Sequence, residues 1–257
     1  YNKPEEVREQ CRNNLFTIQT SGQANGYAQA NLVILPQKYA FDFLLFCQRN
    51  PKPCPLLEVL EPGQYLTKTT ANEADIRTDL PKYKIFHNGE FVEEVTNITS
   101  LWRDDFVTFI IGCSFSFESA MLNSRIPVRH IEENKNVPMY NTSIPCQSAG
   151  VFSGNLVVSM RPLTSRDAIR AVELTARFPR VHGSPVHIGD PGSIGILDIN
   201  KPDYGDAVTI NLDEVPVFWA CGVTPQAIVM KSKPDFCITH APGCMLVLDI
   251  KNDELSF

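Results

Sequence analysis

Three stretches of this chain concentrate groups that can move protons, attack carbonyls or bind anions. The first is Gly112-Cys113-Ser114, which follows the apolar run FVTFIIG and precedes a helical pattern. A small-residue turn between a buried strand and a helix lifts its side chain above the sheet and aims free backbone N–H groups at the same point. Cys113 there is a candidate nucleophile or polar lining group, and Glu118, one turn later, a candidate general acid or base. The plainer alternative is a packed cysteine and a solvated helix acid, and spacing alone favours it. The second stretch, His182 to Gly192, holds two histidines, an aspartate and several glycines. His187 and Asp190 suggest an imidazole–carboxylate pair with the histidine as base. The plainer reading is a polar loop between strands. The third, Phe218 to Gln226, repeats the strand–turn–helix shape. Cys221 and Thr224 there could meet a carboxylate, although Thr224 before Pro225 also reads as an ordinary helix cap.

Other groups are more ambiguous. His240 lies between Cys237 and Cys244, but these spacings match no zinc pattern. Arg129 and Arg161 can each grip a carboxylate through paired hydrogen bonds, and the sequence does not choose between them.

The elements that must hold these groups follow from periodicity. Pro4-Glu5-Glu6 opens a helix, with acids at its positive end. Residues 32–35 form a buried strand, and Pro36 opens a largely buried helix to about Arg49, with Ala40, Phe43, Leu44 and Cys47 on one stripe that Phe41, Leu45 and Phe46 widen. Strands are expected around 65–70 and 83–93, with Asn88-Gly89 as a hairpin turn. Phe106–Cys113 is apolar on both faces, as a covered central strand would be. Thr164 with Asp167 starts a helix in capping-box fashion, its apolar face formed by Ile169, Val172 and Ala176. Further strands are expected at 138–144, 155–161, 186–188, 194–199, 215–221 and 245–250. The alternation makes the chain α/β, with two unlike lobes. The larger, a mixed or parallel sheet with helices, spans 1–120 and 196–257. The smaller, an inserted two-layer α+β unit, spans 121–195.

The 257 residues are ordinary in composition, 43% hydrophobic and 20% charged, with a net charge of -6. No basic run is present, which argues against nucleic acid. No apolar run reaches the ~20 residues needed to span a bilayer. The eight cysteines form no CxxC pair and read as buried free thiols of a reducing compartment.

Several long blocks resemble the D-glutamate cyclase family: GCSFSFE (112–118), NVPMYNTSIPC (136–146), LVVSMRP (156–162), HGSPVHIGDP (182–191), PDYGD (202–206), PVFWACGVTPQ (216–226) and ITHAPGCMLVLDI (238–250). The resemblance covers almost the whole chain and extends to bacterial proteins labelled hydro-lyases. It implies a lyase that closes D-glutamate into 5-oxo-D-proline with loss of water, possible help from a divalent cation such as manganese, and two unlike α/β lobes. By similarity to vertebrate members it implies a mitochondrial location and a further C-terminal domain; a bacterial source would make it cytoplasmic. On these motifs the expected catalytic groups are His187, Asp190, Glu118 and Cys113. Arg129, Arg161, Tyr140, Cys221, Thr224 and His240 are expected to bind substrate, and His182 and Asp206 a metal. The alternatives are a lobe that only binds an acidic metabolite, and a thiol-dependent amide hydrolase acting on a small acid.

Overall fold

The computed structural model describes residues 1–256. Its helices and strands run in chain order as α1 (Pro4–Arg12), β1 (Tyr27–Pro36), α2 (Gln37–Arg49), β2 (Leu56–Leu60), β3 (Tyr83–His87), β4 (Glu90–Val95), β5 (Phe106–Gly112), α3 (Phe115–Asn123), α4 (Arg129–Glu132), β6 (Met139–Pro145), β7 (Asn155–Thr164), α5 (Ser165–Thr175), β8 (His187–Ile188), β9 (Glu214–Ala220), α6 (Val223–Ser232), β10 (Cys237–His240) and β11 (Leu246–Lys251). They build an α/β fold of two unlike lobes. Among the described residues, no helix is long and apolar enough to cross a membrane.

A seven-stranded sheet has the order β2-β5-β1-β10-β3-β4, with β11 also on β1. A four-stranded sheet has the order β6-β7-β9-β8. Every pairing between these strands is antiparallel, which corrects the expectation of a mixed or parallel sheet. The apolar runs of β1 and β5 are continuous because both faces are covered, and antiparallel strands buried on both sides look the same in sequence. β9 pairs with β7 from Val158↔Ala220 to Thr164↔Glu214, so the smaller sheet draws on chain well past residue 195.

β1 organises the larger sheet. One edge pairs with β5 from Ala30↔Gly112 to Pro36↔Phe106. The other edge is shared: β11 takes Gln29 and Ala30, and β10 takes Val33 and Ile34. Asn31 and Leu32 therefore face a gap, where a buried backbone N–H needs another acceptor. His240 supplies it, its Nδ1 accepting from Leu32 N–H at 3.1 Å.

Local expectations hold where short-range chemistry decides. Thr164 caps α5 by accepting from the Asp167 N–H, and Asn88-Gly89 turns the β3–β4 hairpin. Three expectations fail. On α2 the buried face is Phe43, Phe46 and Cys47, while Phe41 and Leu44 are exposed, because only one stripe packs on the sheet. On α5 the buried face is Ala168, Ala171 and Thr175, and Ile169 is exposed. Residues 65–70 and 194–199 form no strands. The first has a single bridge, Leu66↔Asp75, with Glu58 accepting the N–H groups of Lys68, Thr69 and Thr70. The second follows a helical turn, Pro191–Ile194, capped by Asp190 and closed by Gly195 at φ 82°. All eight cysteines are free, and Cys146 is the one that is only half-buried.

Candidate active site

β5 and β9 each end in a tight turn that feeds a helix, α3 and α6. The turn residues need glycine. A Cβ on Gly112 would lie 2.2 Å from the Arg180 carbonyl oxygen, and one on Gly222 would lie 2.3 Å from Asn31 Nδ2. Asn31 also donates to the Gly112 carbonyl at 3.1 Å. It thus ties the two turns to the gap in β1.

Both turns open on one cavity of about 1210 Å³. Cys113, Ser114, Cys221, Gly222 and Val223 line it, so the first turns of α3 and α6 share it. The first-turn N–H groups are already turned onto local acceptors: those of Ser116 and Thr224 donate to the Cys113 and Cys221 carbonyls at 3.4 and 3.0 Å, and those of Phe115 and Val223 to the two sulfurs, so what both helix ends offer an anion is their positive dipole. The gap in β1 contributes Asn31, and His240 and Gln226 stand beside it.

Glu118 on α3 lines the same cavity with His130 on α4. Three groups converge on its carboxylate. Arg161 Nε donates to Oε1 at 3.0 Å and Arg161 Nη2 to the same oxygen. His130 Nε2 is 3.4 Å from Oε1. Arg161 is fully buried on β7, its guanidinium 5.2 Å from the ring centres of both Phe117 and Trp219. Its Nη1 donates to Ser159 Oγ at 3.0 Å. Burial by itself would raise the Glu118 carboxyl, but Arg161 and His130 outweigh it and hold it at about 2. Glu118 is therefore ionised at neutral pH and has no proton to give, which removes the expected general-acid role. It instead orients an imidazole and neutralises a buried guanidinium.

The thiols are held protonated. Burial raises Cys113 to about 12 and Cys221 to about 11, against opposing backbone N–H groups from Phe115 and Val223. A resting nucleophilic thiolate at Cys113 does not fit this environment. His240 is neutral: burial pushes it down to about 4. Because Nδ1 accepts from Leu32, the proton sits on Nε2, leaving His240 an N–H donor.

The remaining expected site residues are drawn elsewhere. His187 does not line the cavity. Its Nε2 contacts the Asp190 carbonyl oxygen at 2.8 Å and Ser193 Oγ at 3.1 Å. The Asp190 carboxylate caps Gly192 N–H instead of pairing with the imidazole. Two residues three apart in a glycine-rich turn meet more readily through backbone than through side chains. Arg129 is committed to Glu132, Glu214 and the Thr209 carbonyl. Tyr140 donates to the Ile199 carbonyl in the smaller lobe's core. Thr224 Oγ1 bridges the Val157 N–H and carbonyl. His182 is buried with Nδ1 2.8 Å from the Lys52 carbonyl. Asp206 lines the cavity, but its carboxylate accepts from Asn136 N–H at 2.9 Å. Among the described residues, no three His, Cys, Asp or Glu side chains come together as metal ligands, so the donors do not fit a divalent-ion cage. His187→Ala should leave turnover within about twofold of the parent, as substitutions away from the reacting groups do; a steady-state assay checks this.

Sequence reasoning passed over His130, Asn31, Gln226 and Lys84, all lining the cavity. Lys84 makes no ion pair with a described carboxylate. Its signal in the sequence was only a lysine in a short strand. His130 sat in view beside Arg129 but lacked a local partner, since Glu118 is twelve residues earlier and Arg161 far later.

The two buried histidines carry a pH dependence. His182, like His240, is pushed by burial to about 4, from an ordinary 6.5. A folded value below the unfolded one means the unfolded chain binds protons first as pH falls. Stability should be full above about pH 6.5 and fall towards pH 4, by up to about 1.4 kcal/mol per pH unit for each histidine. Urea unfolding across this window checks the slope, and His182→Phe should reduce it.

The sequence profile described as D-glutamate cyclase matches residues 107–249. A Geobacillus kaustophilus protein is 60% identical over 97% of this chain and 95% of its own length. An Aliivibrio fischeri protein is 58% identical over 98% and 94%. A Bacillus subtilis protein is 58% identical over 98% of both chains. Each bears the name "Putative hydro-lyase". These relatives are bacterial, so the expected mitochondrial location finds no support in them.

Proposed function

The chain belongs to the D-glutamate cyclase family, which makes it a lyase of the hydro-lyase type, and from that premise we propose that it closes D-glutamate into 5-oxo-D-proline with loss of water. The observation that carries this reading is the Glu118–His130 contact at a cavity shared by two helix N-termini. Ring closure needs a proton acceptor for the ammonium, a proton donor for the departing oxygen, and donors for the oxyanion between them.

His130 takes a proton from the substrate ammonium, its ring held by Glu118. The freed amine attacks the γ-carboxyl carbon. Negative charge gathers on the carboxyl oxygens, which are met by the positive dipole ends of α3 and α6 and by the Nε2–H of His240. The imidazolium returns the proton to one oxygen. The second proton of the original ammonium follows the same route, so the C–O bond breaks with water as leaving group and the amide N–H remains. Lys84, carrying no competing carboxylate, holds the α-carboxylate. Arg161 stays behind Glu118 and sets its charge. Holding amine and carboxyl in a ring-closing shape accounts for much of the rate, since effective molarities of such partners reach roughly 10⁵ M or more.

The test is to incubate the purified chain with D- and L-glutamate, with and without manganese or a chelator, and to measure 5-oxoproline. Formation from D-glutamate is expected, unaffected by chelator. No product from either enantiomer under any of these conditions overturns the reading and leaves a lobe that only binds an acidic metabolite.

A further inference from the structure

Cys113 and Cys221 occupy equivalent places in two different sheets. Each follows a buried strand, β5 of the larger sheet and β9 of the smaller. Each is the residue at the turn into a helix, and each sulfur receives the N–H two residues on, from Phe115 and from Val223. Both line the same cavity. The two turns that carry them meet at Asn31, which donates to the Gly112 carbonyl and lies against Gly222, and the Cys221 thiol reaches Met139 Sδ at 3.4 Å. Cyclisation as derived above uses neither thiol. Two matched thiols thus reach one cavity from separate sheets.

We propose that this cavity also inverts the α-carbon of its amino-acid substrate, with Cys113 and Cys221 as proton carriers on opposite faces. The inference rests on the cyclase reading only for the substrate class, an α-amino dicarboxylate. Inversion of an L-amino acid is one class of reaction that supplies a D-configured substrate. The step balances without oxidant or cofactor. His130 takes the thiol proton of one cysteine, and the resulting thiolate removes the α-hydrogen. The carbanion's electron pair delocalises into the α-carboxylate near Lys84. The opposite thiol then protonates the other face and becomes the thiolate, and the His130 proton returns to it. One C–H bond breaks, one forms, and the configuration inverts. Burial raises both thiols, which keeps them protonated until substrate enters. The helix N–H groups offset part of that burial in the thiolate.

The test uses the wild-type chain with L- or D-glutamate in deuterium oxide, followed by proton NMR at Cα and by chiral chromatography. Interconversion of the enantiomers is expected, with solvent deuterium appearing in the product enantiomer ahead of the remaining substrate, the mark of two separate carriers. Cys113→Ser and Cys221→Ser should each reduce inversion by at least about 100-fold, the usual contribution of a positioned acid or base. Ring closure without exchange at Cα in either enantiomer sinks the inversion and leaves the cyclase reading intact. Inversion without 5-oxoproline does the reverse. Inversion that survives both serine variants, or wild-type label entering both enantiomers equally, removes the two thiols from the role. If the serine variants do not fold, the wild-type labelling order still decides.

Discussion

Arg161→Met should destabilise the folded chain by about 3–5 kcal/mol, the cost of leaving a buried charge without its partner. Arg161 is fully buried, and three of its contacts are to Glu118 and Ser159. Methionine fills most of the space between Phe117 and Trp219 but gives the Glu118 carboxylate nothing. Only His130 then remains beside it. Urea unfolding at neutral pH measures the loss. The double variant Arg161→Met with Glu118→Gln should recover a substantial part, because the two sites are in contact and their effects do not add. A loss under about 1 kcal/mol for the single variant would show that water or rearrangement satisfies the carboxylate. The same pair sets an acid limit. Glu118 is held at about 2 against an ordinary 4.5. Its folded value is depressed, so its contribution is present above about 4.5 and is lost as pH falls from there towards 2. That window overlaps the one for His182 and His240 only between about 4 and 4.5, so a pH series separates most of the two effects.

His130→Gln should lower turnover of D-glutamate by about 10²–10⁴-fold, with KM changed little. Glutamine keeps a hydrogen-bond donor for Glu118 and much of the ring's volume, so the fold should survive. What it loses is the ability to accept a proton and hand it back. Glu118→Gln probes the same couple from the other side: it keeps the shape and removes the charge that orients and stabilises the imidazolium. Near-normal turnover in His130→Gln would take the imidazole out of the mechanism, whatever its position. Steady-state rates with circular dichroism of the same samples separate loss of chemistry from loss of structure.

Much of the local architecture was legible because neighbouring residues decide it. The apolar run 106–112 could only be a covered strand, and Gly112-Cys113-Ser114 could only be a turn into the helix that follows. Phe218 to Gln226 reads the same way. Thr164 and Asp167 satisfy each other within one helical turn. Asn88-Gly89 adopts the positive φ angles its hairpin requires. The blocks at 112–118 and 216–226 both reach the cavity.

Tertiary structure decided everything that depends on which distant segments meet. The direction of pairing is one case. A run apolar on both faces declares burial but not whether its neighbours are parallel, and here all are antiparallel. The site is another. Glu118 and Arg161 are 43 positions apart and lie in different sheets' surroundings, so no spacing could report their contact. The density of titratable groups at 182–190 pointed to His187 because adjacency in sequence was the only proximity visible. In the fold that loop satisfies its own backbone and lies off the cavity, while His130 lines it beside Glu118. Local sequence determines conformation through short-range sterics and hydrogen bonds; which charged groups share a desolvated cavity is determined by how two sheets bury their faces against each other.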